Sequence, residues 1–329
     1  MRIAIIGQQA FGKSVLEAFA ARGDQIVGVF CAPEKAGARA DPLRQAAQAL
    51  GLPVFQFPSL KNLDAEHALR SLDADIAVMA YVLQFAPQSF VNIPRHGTIQ
   101  YHPSLLPAHR GPSSINWPLI QGKTHTGLTI FRPTDGLDEG PVILQKIVEI
   151  GADDTLGSVY FDRLFPQGIA AMLEAADLVV AGKHTEIAQD EALASYEGWC
   201  KDAEAQINWH APTAAIYNLI RGCNPSPGAW TTAHGMRVRI LDSQRHVARR
   251  FADVGGKPGE IIAIGDSSIQ VAAQGGSIEI RKVKIDGGDK STAAAFCHAN
   301  GLVAGDRLGI VGIPVRKEPA KTIQHATAD

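Results

Sequence analysis

The chain has 329 residues, more than one typical hydrophobic core serves, so two domains are expected. Hydrophobic residues make up 46% and charged residues 19%, which excludes a disordered chain; the net charge of -2 excludes a molecule that traps nucleic acid or anionic membrane through overall charge. Cys31, Cys200, Cys223 and Cys297 lack the close spacing of metal or disulfide frameworks and read as reduced thiols. The apolar run at the N-terminus ends at Gly7, too short for a signal peptide or a span, and no later stretch reaches about 18 uninterrupted apolar residues. The expectation is a cytoplasmic protein with no metal and no membrane partner.

In chain order, Arg2–Ile6 is an apolar strand stopped by Gly7, and Phe11–Arg22 has helical spacing through Phe11, Val15, Leu16 and Phe19. Gln25–Cys31 is a second buried strand, 32–41 a loop, Pro42–Leu50 a helix and Pro53–Phe57 a short strand. Further strands are expected at Asp75–Ala80 and Gly97–Tyr101, a helix at Pro112–Gln121, and strands at Leu128–Arg132 and Val142–Ile150. Asp154 is placed to cap a long helix over roughly Thr155–Ala181. Strand–helix alternation of this kind implies a Rossmann-like, doubly wound α/β sheet, parallel and covered by helices, with its ligands beyond the carboxyl ends of the strands.

After a polar linker at 183–205 the pattern changes. A short helix at Pro212–Arg221 precedes glycine-broken strands at Ala229–Thr232, Arg237–Asp242, Gly259–Ile264, Ile269–Ala273 and Ser277–Ile285, the signature of a small OB-like β-barrel. The resulting division is a first domain over 1–182, a linker over 183–205, a barrel over 206–312 and a polar tail over 313–329.

Gly7-Gln-Gln-Ala-Phe-Gly12-Lys13-Ser14 matches the nucleotide-binding pattern G-x-x-x-x-G-K-[ST] and would place Lys13 on phosphates and Ser14 on magnesium. A P-loop enzyme also needs an acidic residue ending a nearby apolar strand. The strand at 75–80 instead runs into Tyr81, and Asp135 follows Pro133 in a turn. The competing reading is a glycine turn that lets a helix approach a strand.

The segment carrying chemistry runs from Arg95 to Gly111. Gln100 and His102 project from one strand face, and Pro103 puts His102 at the strand's carboxyl end. Ser104, Leu105, Leu106 and Pro107 form a stiff loop able to wall a pocket. In the second segment, Thr134–Gly140, Asp138 stands at a loop–strand junction where it can meet His102. A carboxylate beside an imidazole fixes its tautomer and favours the imidazolium, which suits proton transfer, and Gln100 is placed to hydrogen-bond an oxyanion. Taken singly, each feature also fits a bland role: a satisfied histidine, or a solvated acidic turn. His109 and Arg110 follow the loop and read either as contacts for an anionic group or as solvated surface.

His102-Pro103-Ser104-Leu105-Leu106-Pro107 and Leu137-Asp138-Glu139-Gly140 together resemble the paired motifs of the formyltetrahydrofolate-dependent formyltransferase superfamily. Ile115-Asn116-Trp117, Ile207-Asn208-Trp209 and Pro227-Gly228-Ala229-Trp230 add a likeness to the hydrolase domains of 10-formyltetrahydrofolate dehydrogenases. Pro258-Gly259-Glu260-Ile261 and Gly305-Asp306-Arg307-Leu308-Gly309 are similar to the barrel of methionyl-tRNA formyltransferases.

The resemblance implies that 10-formyltetrahydrofolate is the formyl donor and that 1–182 is the folate-binding catalytic domain. It implies His102, Asp138 and Gln100 as catalytic. Backbone groups of Gln84, Phe85 and Ala86 would bind the pteridine, with Ser104–Pro107, Asp135 and Gly136 lining the site. The acceptor is left open between water, a small amine such as an amino sugar, and methionyl-tRNA, for which Arg237, Arg239, Arg245, Arg249 and Arg250 supply local positive charge. No NADP chemistry is expected within this chain. One departure stands out: the transferases carry Asn where this chain has Gln100.

Overall fold

A computed structural model describes residues 1–248 and 255–309; Arg249, Arg250 and the tail 313–329 lie outside the described residues. The chain forms two compact units. The first comprises Met1–Cys200 with Arg221–Ser226, and the second Lys201–Ile220 with the residues from Pro227 on. Of residues 183–205, those up to Cys200 thus belong to the first unit and the rest to the second.

The first unit contains, in chain order, β1 (Arg2–Gly7), α1 (Gln9–Ala21), β2 (Gln25–Phe30), α2 (Pro42–Ala49), β3 (Val54–Phe55), α3 (Leu63–Ser71) and β4 (Ile76–Ala80). There follow α4 (Gln88–Val91), β5 (Thr98–His102), α5 (Asn116–Ile120), β6 (His125–Phe131), β7 (Val142–Glu149), α6 (Leu156–Val159) and α7 (Phe165–Val180). The sheet order is β3-β2-β1-β4-β5-β6-β7. β1 is apolar from Ile3 to Ile6 because both its faces are covered there. Ile3 and Ile5 join a core with Phe11, Val15 and Phe19 of α1 and Met172 of α7, whereas Ala4 and Ile6 join one with Leu69 of α3 and Phe90 of α4.

The first five strands of the sheet order are parallel, but β6 runs antiparallel to β5, and β7 to β6. The fully parallel sheet implied by strand–helix alternation therefore stops at β5. The connection from β5 to β6 carries only the five-residue α5, too little for a covering crossover helix, and the loop 132–141 closes a hairpin from β6 to β7.

Three local expectations are corrected. The helix expected from Pro112 begins only at Asn116, because Ser113 adopts the left-handed region at φ 61°. The long helix is capped by Thr155, whose hydroxyl and Ser158 form a reciprocal capping box, while Asp154 turns to Arg163. A π turn at Tyr160–Leu164 joins α6 to α7. Helix α3 was not anticipated, although Asn62 caps it and Asp64 and Glu66 occupy its first turn.

The second unit receives most of α8 (Thr213–Gly222). It then builds β8 (Trp230–Ala233), β9 (Met236–Val247), β10 (Ile261–Ile264), β11 (Ile269–Ala273), β12 (Gly276–Ile285), β13 (Lys290–Thr292) and α9 (Ala293–Ala299). The antiparallel path β10-β11-β12-β9-β8, with β13 also on β12, makes a curled half-barrel that is open rather than closed. Arg237 and Arg239 both pair with Asp202 and Asp286 inside this unit, so the charge these two were expected to offer is internally neutralised. Among the described residues no helix is long and apolar enough to cross a membrane.

Candidate active site

β5 places the first reactive group. Its register with β4 and β6 sets Gln100 opposite Met79 and Phe131, and His102 opposite Thr129, before Pro103 ends the strand. His102 is buried, 6% exposed. Its Nε2 lies 2.8 Å from the carbonyl oxygen of His109. A carbonyl only accepts, so Nε2 carries the hydrogen and Nδ1 is left to face outward from that bond. Nδ1 lies 3.6 Å from Oδ2 of Asp138. The pair is thus brought together slightly beyond hydrogen-bond range.

Asp138 is buried in an unusual turn. Its φ is 56°, a left-handed conformation that Asp tolerates better than most residues. The Gly111 N–H donates to its Oδ2 at 2.8 Å, and the Gln189 side-chain amide donates to the carbonyls of Asp138 and Gly140 at 2.8 and 2.7 Å. Gly140 permits the turn by lacking a side chain: a Cβ there would sit 1.6 Å from the Arg132 carbonyl oxygen. The spacing of Leu137-Asp138-Glu139-Gly140 therefore has a steric reason.

The other expected site residues are placed as follows. Gln100 is half-buried, and its amide makes no hydrogen bond among the described residues. The Gln84 side chain donates to the carbonyls of Phe57 and Pro58, while the backbone groups of Gln84, Phe85 and Ala86 make no backbone hydrogen bonds among the described residues. Tyr81, Leu83, Phe85 and Leu137 are exposed apolar side chains flanking these loops. Asp135 accepts from the Gln88 N–H at 3.1 Å and the Gln88 side chain donates to Pro133, tying the loop before α4 to the loop bearing Gly136 and Asp138.

Ser104 and Leu106 face inward instead of lining an open wall. Ser104 is fully buried and its hydroxyl donates to the Ala108 carbonyl, while Leu106 is buried and donates its N–H to Thr129. Leu105 and Pro107 are half-buried.

The glycine motif after β1 is used for packing. The Gln9 N–H donates to both carboxylate oxygens of Asp41, at 3.0 and 2.9 Å, where a phosphate would have to bind, and Lys13 pairs at the surface with Glu17. A Cβ on Gly7 would lie 2.1 Å from the Ala80 carbonyl oxygen, so the glycine serves the close approach of β1 and β4. A cavity of about 480 Å³ opens beside this turn, lined by Gln9, Arg39, Ala40, Asp41, Pro42 and Gln45; His102 and Asp138 are not in its lining.

Three contributors have structural roles beyond the sequence expectations. His109 and Arg110 are both buried, so neither is solvated surface: the His109 ring bonds Glu197 at 3.0 Å, and the Arg110 guanidinium bonds Gln189, Glu191 and Tyr196. The hydrogen bonds to Glu191, above all, hold Arg110 charged well above its ordinary range. The third is Thr129, a fully buried hydroxyl that donates to the Ser104 carbonyl and accepts from Leu106 and Gln145, so that it pins the loop after His102. Its position opposite His102 follows from the antiparallel register of β6, which the sequence does not state. Among the described residues no cluster of His, Cys, Asp and Glu is arranged to hold a metal ion.

A buried imidazole faces a strained aspartate turn at the carboxyl end of a central strand of a Rossmann-like sheet followed by a half-barrel, an arrangement that fits an α/β enzyme. The chain belongs to the formyl transferase family: residues 1–176 match the family's formyl transferase domain and residues 200–301 its C-terminal domain. It is 33% identical to methionyl-tRNA formyltransferase of Geobacter metallireducens over 94% of this chain and 99% of that one. It is 44% identical to cytosolic 10-formyltetrahydrofolate dehydrogenase of Mus musculus over 74% of this chain but only 27% of that protein, so it spans about a quarter of those longer relatives. The fold is shared with HypX from Aquifex aeolicus, solved with tetrahydrofolic acid (TM-score 0.65, 15% identity, 97% of this chain and 52% of that one). It is also shared with the sugar 3N-formyl transferase WlaRD (TM-score 0.64, 18% identity, 85% of this chain and 97% of that one).

Proposed function

We propose that this chain removes the formyl group from 10-formyltetrahydrofolate and passes it to water or to an acceptor amine. The observation that carries this reading is the 3.6 Å approach of His102 Nδ1 to Asp138 Oδ2 at the end of β5. The pteridine would lie against the free backbone of Gln84, Phe85 and Ala86, beside the Asp135–Gly136 turn. The nucleophile adds to the formyl carbon and a tetrahedral oxyanion forms. Asp138 takes a proton from the nucleophile. His102, already donating through Nε2 to His109, carries a second hydrogen on Nδ1 when charged; it steadies the oxyanion and delivers that proton to N10 as the carbon–nitrogen bond breaks. The unpartnered Gln100 amide, on the same strand face as His102, is placed to hydrogen-bond the oxyanion. The products are tetrahydrofolate and either formate or a formylated amine.

A second reading, transfer to the amino group of methionyl-tRNA, is favoured by the nearly end-to-end similarity to the Geobacter transferase, half-barrel included. Tetrahydrofolate formation from 10-formyltetrahydrofolate, followed first without acceptor, then with charged tRNA, then with an amino sugar nucleotide, separates the acceptors. Formation of tetrahydrofolate in at least one condition is expected, and none in any of them overturns the proposal.

A further inference from the structure

Arg110 is the largest fully buried side chain among the described residues, and a buried charge persists only when it is fully partnered. It donates to both carboxylate oxygens of Glu191, at 2.9 and 2.6 Å, and to the Tyr196 hydroxyl at 2.5 Å. It also donates twice to Oε1 of Gln189, at 3.1 and 2.9 Å. This last contact has a geometric consequence. With Oε1 fixed on a group that only donates, the amide nitrogen of Gln189 must point the other way. There it delivers its hydrogens to the carbonyls of Asp138 and Gly140. Tyr196 holds the intervening residue, donating its hydroxyl to Glu139 at 2.7 Å. One guanidinium thus reaches three consecutive residues of the turn that keeps Asp138 at φ 56°.

Its chain neighbours complete the clamp: the His109 carbonyl accepts the hydrogen of His102 Nε2, and the Gly111 N–H donates to Oδ2 of Asp138. We propose that Arg110 is a positioning residue for formyl removal, holding the Asp138 turn through Gln189 and Tyr196 so that the carboxylate stays against His102. The inference rests on the reading that His102 and Asp138 carry the reaction. It explains why an arginine is buried where a solvated one would serve a surface loop.

The test compares kcat and KM for 10-formyltetrahydrofolate in purified full-length Arg110→Met and Gln189→Met, each also combined with Asp138→Asn. Gln189→Met leaves the ion pair between Arg110 and the exposed Glu191 in place and remains informative if Arg110→Met does not fold. Misplacement of a reacting group costs on the order of 10²-fold in rate, so each single variant is expected to lose about 10- to 100-fold in kcat with KM within about threefold. In the Asp138→Asn background the further loss is expected to shrink below about threefold, because the residue being positioned is already disabled. A merely structural role would leave the losses multiplicative in the double variants, and that result, or wild-type kcat in Gln189→Met, overturns the inference. Wild-type kcat in Asp138→Asn alone would instead reject the underlying site reading.

Discussion

The turn that leads into the long helix offers a stability test independent of substrate. Asp154 is 12% exposed, receives both terminal nitrogens of Arg163 at 2.6 and 2.8 Å, and accepts further bonds from the Gly151 N–H and the Ser158 hydroxyl. The Arg163 hydrogen bonds lead the causes that lower its pKa to about 2, from an ordinary value of 3.8. At about 1.36 kcal/mol per pKa unit, this corresponds to on the order of 2 kcal/mol of folding stability at neutral pH.

Because the folded-state value is depressed, the contribution is complete above about pH 5 and fades as the pH falls through 2. It should be roughly half its full size at pH 3 and nearly gone at pH 2. Asp154→Asn removes the titrating group and adds a roughly constant loss from the altered hydrogen bonds. Urea unfolding of both proteins at pH 7, 4 and 3 should therefore show their stability difference narrowing by about 1 kcal/mol between pH 7 and pH 3. Curves that stay parallel over that range would refute the assignment of this contribution to Asp154.

Thr129→Val keeps the side-chain shape but strands the Leu106 N–H in the core, and is expected to destabilise the first unit by about 1–3 kcal/mol by urea unfolding while lowering turnover through the loop after His102. Burial, aided by the charges of Asp41 and Glu34, pushes the Cys31 thiol up to about 11, and burial pushes Cys297 to about 11 as well. A thiol reagent at pH 8 should therefore react with neither in the native protein and with both on unfolding; rapid native labelling of either contradicts this packing. Lys13→Ala should change stability by no more than about 0.5 kcal/mol and leave turnover intact, since Lys13 only pairs with Glu17 at the surface; calorimetric binding of magnesium–ATP that is lost in this variant would restore the nucleotide reading.

Much of the first unit is legible because its signals are local. Apolar strands two-sidedly buried, Pro103 ending β5, and the glycine–acid turn around Asp138 all announce themselves within a few residues. Direction is not local: nothing in the composition of β6 or β7 states that they run antiparallel, and only the short connection carrying α5 hints at it. Asp154 and Thr155 are both good capping types, and the choice fell to Thr155 because Arg163, a distant partner, claims Asp154. Helix α3 carries a readable signature in Asn62, Asp64 and Glu66. The clearest limit is Arg110. Its charge fits either an anion contact or solvated surface, whereas Gln189, Glu191 and Tyr196, some eighty residues on, make burial tolerable. At the site, the meeting of His102 with Asp138 was inferable from strand ends, while the carbonyl of His109 that fixes the imidazole was not.

The most direct test of the central claim is the rate of tetrahydrofolate formation from 10-formyltetrahydrofolate by His102→Ala and Asp138→Asn, each shown to be folded by circular dichroism and by an unchanged unfolding midpoint. Loss of a positioned acid or base predicts a fall of about 10²–10⁴-fold for each. Turnover within about threefold of wild type in either folded variant would show that the paired imidazole and carboxylate do not carry the reaction.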